Sequence, residues 1–182
     1  MLTPIVIVSG LFLAQTQTAG TPAPEVSVVP SVDLDRYAGT WYEIARLPNW
    51  FQKKCACCVT ATYTVQKPGQ LSVVNECRMA DGRATRAEGV AKIADRKGPT
   101  SKLKVRFAPA ILSFLPFVWG DYWILDLAED YSHVLVGDPG RKYLWILARQ
   151  PSLPEETYQA LLRKAAAQGF AVARIERTRA RQ

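Results

Sequence analysis

Residues 53–62 read KKCACCVTAT, which puts Cys55, Cys57 and Cys58 within four positions, and Cys77 completes a set of four cysteines. Three chemistries use thiols at this density. Structural zinc needs four ligands converging tetrahedrally. On an extended strand, side chains alternate between faces, so Cys55 and Cys57 share one face and Cys58 takes the other. They cannot converge, and no metal is expected. A reactive thiol must be accessible and of lowered pKa; an inward-facing Cys57 would be the candidate. The third use is disulfide bonding, with all four cysteines as candidates. Cys77 follows across the hairpin QKPGQ, where several registers set it beside Cys57 or Cys58, while Cys55 reaches from the preceding loop. Four cysteines allow three full pairings, and spacing does not choose among them. Disulfides are the expected use, and they suit an exported, oxidising compartment.

No other residue set promises catalysis. The single histidine, His133, lies in EDYSHVLVG beside Ser132. A nucleophile and base must meet in space with an orienting acid, whereas neighbours on a strand point to opposite faces. Nucleophile-elbow, phosphate-loop, HExxH and dinucleotide motifs are absent from the sequence. An enzyme is therefore not expected, nor a cofactor. The alternative is a thiol-dependent, lipid-modifying enzyme using Cys57.

The chain of 182 residues suits one domain, with 48% hydrophobic and 21% charged residues. Its net charge of +7 lacks the interleaving of basic and aromatic residues that marks a nucleic-acid groove, so no nucleic acid is expected. Part of the excess sits in residues 177–182, expected to be a frayed basic tail. Residues 1–20 resemble a signal peptide. The apolar run Ile5–Ala14 is too short to span a bilayer, and small residues then precede a Pro-containing spacer over 21–30. No cysteine near residue 20 offers a site for lipid attachment. The expectation is an exported protein, periplasmic or secreted, at most peripheral to the outer membrane.

Beyond residue 30, short segments rich in β-branched and aromatic residues recur. They predict strands over 39–47, 57–66, 70–79, 83–93, 102–107, 120–127, 131–137 and 142–149, separated by turn signals such as KPGQ, ADGR and DPGRK. Eight strands without intervening helices imply an all-β antiparallel sandwich or up-and-down barrel. One helix follows. Ser152 and Glu155 match a capping box, Tyr158, Leu161, Leu162 and Ala165 form an apolar stripe, and Gly169 matches a stop. Residues 170–176 suit a last edge strand.

Gly39-x-Trp41 followed by Tyr42-Glu43 resembles the first signature of the lipocalins. AEDYSHVLV, with Asp130 and Tyr131, resembles the second, and LWILARQP, with Arg149, resembles the third. The resemblance covers residues 31–176 and is nearest to the bacterial outer-membrane lipocalins and apolipoprotein D. It implies an eight-stranded barrel with one C-terminal helix packed outside. It also implies that Arg149 crosses the Trp41 ring and closes one end, a cation–π contact worth about 0.5–2 kcal/mol.

A barrel of eight strands holds packed side chains or one small ligand. The resemblance implies a cup open at one end. Ligand contacts are then expected from Trp50, Phe51, Tyr63, Phe107, Phe114, Phe117, Trp119 and Tyr122, with Arg46, Lys53, Lys54, Arg106 and Tyr122 as candidates for a polar head. Fatty acids or lysophospholipids, carried or stored for membrane maintenance, are the expected ligands. The stretch APAILSFLPFVWG is apolar enough to need a partner if exposed: it can line the pocket, meet a membrane surface or a second subunit in a homodimer, or be a long loop that is simply well packed.

Overall fold

Glycine marks the tight reversals of this chain. The β2–β3 and β3–β4 turns place Gly69 at φ +78° and Gly82 at φ +82°, a region open to glycine without steric penalty. The computed structural model describes residues 25–180, so the expected signal peptide and the start of the spacer lie outside the described residues. Eight strands form the sheet: β1 Gly39–Arg46, β2 Cys57–Lys67, β3 Gln70–Arg78, β4 Ala84–Ile93, β5 Lys102–Arg106, β6 Gly120–Leu127, β7 His133–Gly137 and β8 Leu144–Ala148. Each pairs antiparallel with the next, and β1 pairs with both β8 and β2, so the sheet closes into an up-and-down barrel. A two-residue strand, β9 Glu176–Arg177, adds onto β1.

Side-chain alternation divides the apolar residues into two cores. Trp41, Tyr63, Leu71, Val73, Ala91, Leu103, Tyr122, Ile124, Val134 and Leu147 fill the interior. Ile44, Leu125, Leu135, Leu144 and Ile146 face out, where α2, Glu155–Ala167, buries Tyr158, Leu161 and Ala165 against them. One end of the barrel is crossed by the segment leading into β1. There α1, Leu34–Tyr37, is capped by the Asp33 side chain, the Thr100 hydroxyl accepts from the Val32 N–H at 2.7 Å, and Ser101 donates to the Val29 carbonyl. The loops after β1, β3, β5 and β7 therefore gather at the opposite end, the mouth.

Three local expectations are corrected. The Ser152–Glu155 capping box does not form: Pro154 is the N-cap and no side chain caps α2. A proline disfavours helical geometry in the residue before it, so Leu153 cannot join the helix and Ser152 lies outside it. Residues 170–176 are not one strand, because a 3-10 turn over Val172–Arg174 precedes β9. The tail from 177 is not frayed as far as Arg179: the Thr178 N–H donates to the Ile44 carbonyl and the Cys58 N–H to the Arg179 carbonyl, both at 2.9 Å. Gly169 does end the helix, at φ +83°.

Candidate functional site in the barrel cup

The closed end is built around Arg149. Its guanidinium carbon lies 3.9 Å from the Trp41 ring centroid. Its nitrogens donate to the carbonyls of Arg36, Tyr37, Ala38 and Thr40 at 2.7–3.1 Å. Gly39, at φ +98°, passes so close that a Cβ would sit 3.1 Å from Arg149 Nη1. Asp130 and Tyr131 belong to the β6–β7 turn at this same end. Tyr131 accepts the Asp33 N–H at 3.0 Å and lies 4.0 Å under the Arg36 guanidinium.

Above Trp41 stands a trio of tyrosines. The Tyr63 hydroxyl donates to Tyr122 at 2.9 Å, and Tyr122 shares a 2.7 Å hydrogen bond with Tyr37. Burial pushes the Tyr63 phenol up to about 12 and holds Tyr37 and Tyr122 well above the usual phenol value. All three are neutral, and they form a floor. Over it, register places Ala61 opposite Asn75, Asn75 opposite Ala87 and Val73 opposite Gly89 on the inward face. Residues this small cannot fill an eight-stranded interior, and Ala61, Asn75 and Gly89 keep partial exposure. Asn75 Oδ1 is buried without a hydrogen-bond partner. The inward face above the floor is therefore lined by small, partly exposed residues on the side of the mouth.

The rim of the mouth is apolar. Phe107 lies across Gly89, where a Cβ would come within 2.7 Å of its ring, so the glycine makes room for the aromatic. Ile111, Phe114 and Phe117 are 76–80% exposed and Trp50 is 73% exposed. Phe51 packs against Tyr143 and Trp145, with ring centroids 5.6 and 6.3 Å away. A polar network lies just inside. The Glu43 carboxylate accepts from Arg46, from Gln52 at 2.6 Å and from Thr178 at 2.5 Å, and the Trp145 indole donates to Gln52 at 3.0 Å.

The aromatic and basic candidates thus separate. Tyr63 and Tyr122 form the floor, Phe107 lies at the rim, and Trp50, Phe114 and Phe117 project into solvent. Trp119 does not face the cup. Its ring lies 4.1 Å from the Lys92 ammonium and 5.2 Å from the Arg106 guanidinium, residues that alternate with the inward Ala91 and Val105 and so face outward. Arg106 itself donates to the carbonyls of Ala108 and Pro109 and organises the β5–β6 loop from outside.

Cys55 and Cys77 form a disulfide at the mouth; Cys57 and Cys58 lie outside it. Cys57 pairs with Arg78 rather than with Cys77, since a bulge at Cys58, with φ +61°, shifts the register between Cys57 and Thr60. Cys77 belongs to the inward set, so Cys57, beside Arg78, faces outward. This removes the thiol from the lumen, where the enzyme alternative needs it. Ser132 and His133 do touch, at 3.0 Å between Oγ and Nδ1, because Ser132 lies in the turn before β7 and escapes strand alternation. Asp130 accepts the Ser132 N–H, and among the described residues no carboxylate is hydrogen-bonded to the imidazole to orient it. Among the described residues no group of three or more His, Cys, Asp or Glu could hold a metal.

Sequence reasoning missed Tyr37, Glu43, Gln52 and Thr178. Glu43 shares a face with Trp41 by simple alternation, a usable signal. Gln52 and Thr178 reach the network only through tertiary placement.

A family model described as a lipocalin-like domain matches residues 32–180. The temperature-induced lipocalin-1 of Arabidopsis thaliana is 42% identical over 159 residues, 87% of this chain and 84% of that protein. The outer membrane lipoprotein Blc of Escherichia coli K12 is 39% identical over 166 residues, covering 90% and 88%. Apolipoprotein D of Rattus norvegicus is 35% identical over 170 residues, covering 86% and 82%. Among solved structures, insecticyanin from the tobacco hornworm Manduca sexta superposes with a TM-score of 0.64 at 21% identity, covering 86% of this chain and 85% of that one, a likeness of fold. With the barrel, the helix and all three signature segments in place, the chain belongs to the lipocalins, a family generally of binding and transport proteins for small hydrophobic ligands.

Proposed function

We propose that the protein binds one single-chain amphiphile, a fatty acid or lysophospholipid, with its chain in the cup, and exchanges it with a membrane surface at the mouth. The observation that carries this reading is the coincidence of two features at one end of the barrel. The cup opens there, and there Trp50, Ile111, Phe114 and Phe117 stand 73–80% exposed. Apolar surface on this scale needs a partner. A carrier of insoluble ligands must meet the membrane that supplies them, and the acyl chain then never crosses water. The β5–β6 loop has no charged residue between Arg106 and Asp121, while Lys53, Lys54 and Lys142 sit exposed on neighbouring mouth loops. Apolar tips beside lysines suit a bilayer containing anionic phospholipid.

Burying an acyl chain contributes about 0.8 kcal/mol per methylene, so a dozen methylenes outweigh the losses of ordering. No catalytic group is required. The names of the relatives, an outer membrane lipoprotein and an apolipoprotein, agree with a lipid carrier in an exported, membrane-associated setting; a role in membrane maintenance is part of this proposal.

The test is native mass spectrometry of protein from its own compartment with lipid extraction, paired with vesicle flotation. A fatty acid or lysophospholipid near one per chain, and flotation with anionic vesicles that a Phe114→Asp/Phe117→Asp variant loses, are the expected results. An empty barrel that takes up neither ligand overturns the carrier reading. A dimer that the same variant dissolves, without any flotation, assigns the rim to a second subunit instead.

A further inference from the structure

The barrel wall is incomplete beside the mouth. β1 and β2 pair from Gly39 opposite Tyr63 to Tyr42 opposite Thr60, and beyond that pair the two strands part. The C-terminal segment enters the gap, with Arg177 paired to Ala45 and Glu176 to Arg46, and with Cys58 bonded to the Arg179 carbonyl on the far side. A cavity of about 300 Å³ remains, lined by Arg46, Cys55, Ala56 and residues 176–179.

Arg46 is the unusual wall residue. Register sets it opposite Trp145 on the inward face, and its side chain is only 12% exposed. A guanidinium has five N–H donors. Glu43 takes one of them, and no acceptor among the described residues takes another. Glu43 offers little further capacity, since it already accepts from Arg46, Gln52 and Thr178. The remaining Arg46 nitrogens are not among the buried unpartnered atoms and so reach the water of the cavity, where they offer a planar fork to an anion. The other head-group candidates are otherwise placed: Arg106 is turned outward, Tyr122 is committed to the floor, and Lys53 and Lys54 are exposed on the β1–β2 loop.

The geometry points to this side cavity as the seat of the ligand's anionic head, a carboxylate or phosphate gripped by the Arg46 fork, with the chain lying in the cup. This rests on the carrier reading above. Arg177 is not part of the grip, because it faces outward, 3.9 Å over the Tyr158 ring and bonded to Glu155. Glu176 is the one carboxylate among the lining residues and opposes the bound anion.

The test compares hexadecanoate with hexadecanol, equal chains with and without charge, together with a hexadecyl phosphate and inorganic phosphate, by calorimetry on the full chain. Native protein is expected to prefer the carboxylate and the lipid phosphate over the alcohol by at least about tenfold, a ratio that 1.4 kcal/mol would supply. Arg46→Gln should bring that ratio near one, Arg46→Lys should restore part of it, and Glu176→Gln should raise it. Glu43→Gln/Arg46→Gln removes both charges, so a folding failure from an orphaned Glu43 is separable from loss of the site. An unchanged ratio in Arg46→Gln overturns the assignment. So does inorganic phosphate binding that depends on Arg46 while the lipid ratio does not, which would mark a free-anion site. Failure of hexadecanol and hexadecanoate alike to bind condemns the carrier reading itself.

Discussion

The Arg149 guanidinium lies 3.9 Å over the Trp41 ring while its nitrogens hold the carbonyls of residues 36–38 and 40. A single side chain thus ties β8 to the segment that closes the barrel. Arg149→Ala loses the cation–π contact and leaves several carbonyls unpaired. The expected loss is about 2–4 kcal/mol, read as a lowered Tm with the ligand preference retained. Arg149→Lys keeps the charge but not the planar fork, so it should recover less than half. A variant as stable as the native protein would show that the closed end does not depend on this residue.

The tyrosine floor makes stability sensitive to alkali. Burial raises the Tyr63 phenol to about 12 and Tyr37 and Tyr122 well above the ordinary value. Unfolded tyrosines ionise near 10. Below that pH both states keep the proton and the three contribute no slope. Above it the unfolded chain releases protons that the barrel retains, so stability falls as pH rises, up to and through about 12 for Tyr63. Each tyrosine contributes at most about 1.4 kcal/mol per pH unit. Chemical denaturation from pH 8 to 12 should show this decline, and Tyr63→Phe should make it shallower. A flat profile would mean that the phenols ionise in the fold.

The mouth disulfide joins Cys55 to Cys77, 22 positions apart in sequence. In the chain-entropy account a loop of that size supplies about 3 kcal/mol. Reduction should therefore lower Tm by roughly 6–12 °C for a domain of this size. Peptide mapping under non-reducing conditions should return this pair, and labelling of the native protein should reach Cys57. Recovery of a Cys57–Cys77 peptide would contradict the register set by the bulge.

The strand pattern, the turn glycines and the helix stripe are local features, and the sequence by itself determined from them an antiparallel all-β fold with one helix; the barrel and its closing contact were expected from the resemblance of the three signature segments. Periods of two and of 3.6 residues, together with residues that tolerate positive φ, depend only on near neighbours. Other features depended on distant parts of the chain. Proline at 154 overrode a matching capping box. A bulge at Cys58 inverted the face that simple alternation assigned to Cys57. Trp119, in the β5–β6 loop, faces outward with its ring beside Lys92 of β4 and Arg106 of β5. The tyrosine trio, the Glu43 network and the cavity behind β9 each join residues from three or more separated segments. Hydrogen bonds and cavities of that kind exist only once the barrel has closed, so only the tertiary structure decided the tyrosine floor, the Glu43 network and the cavity beside Arg46.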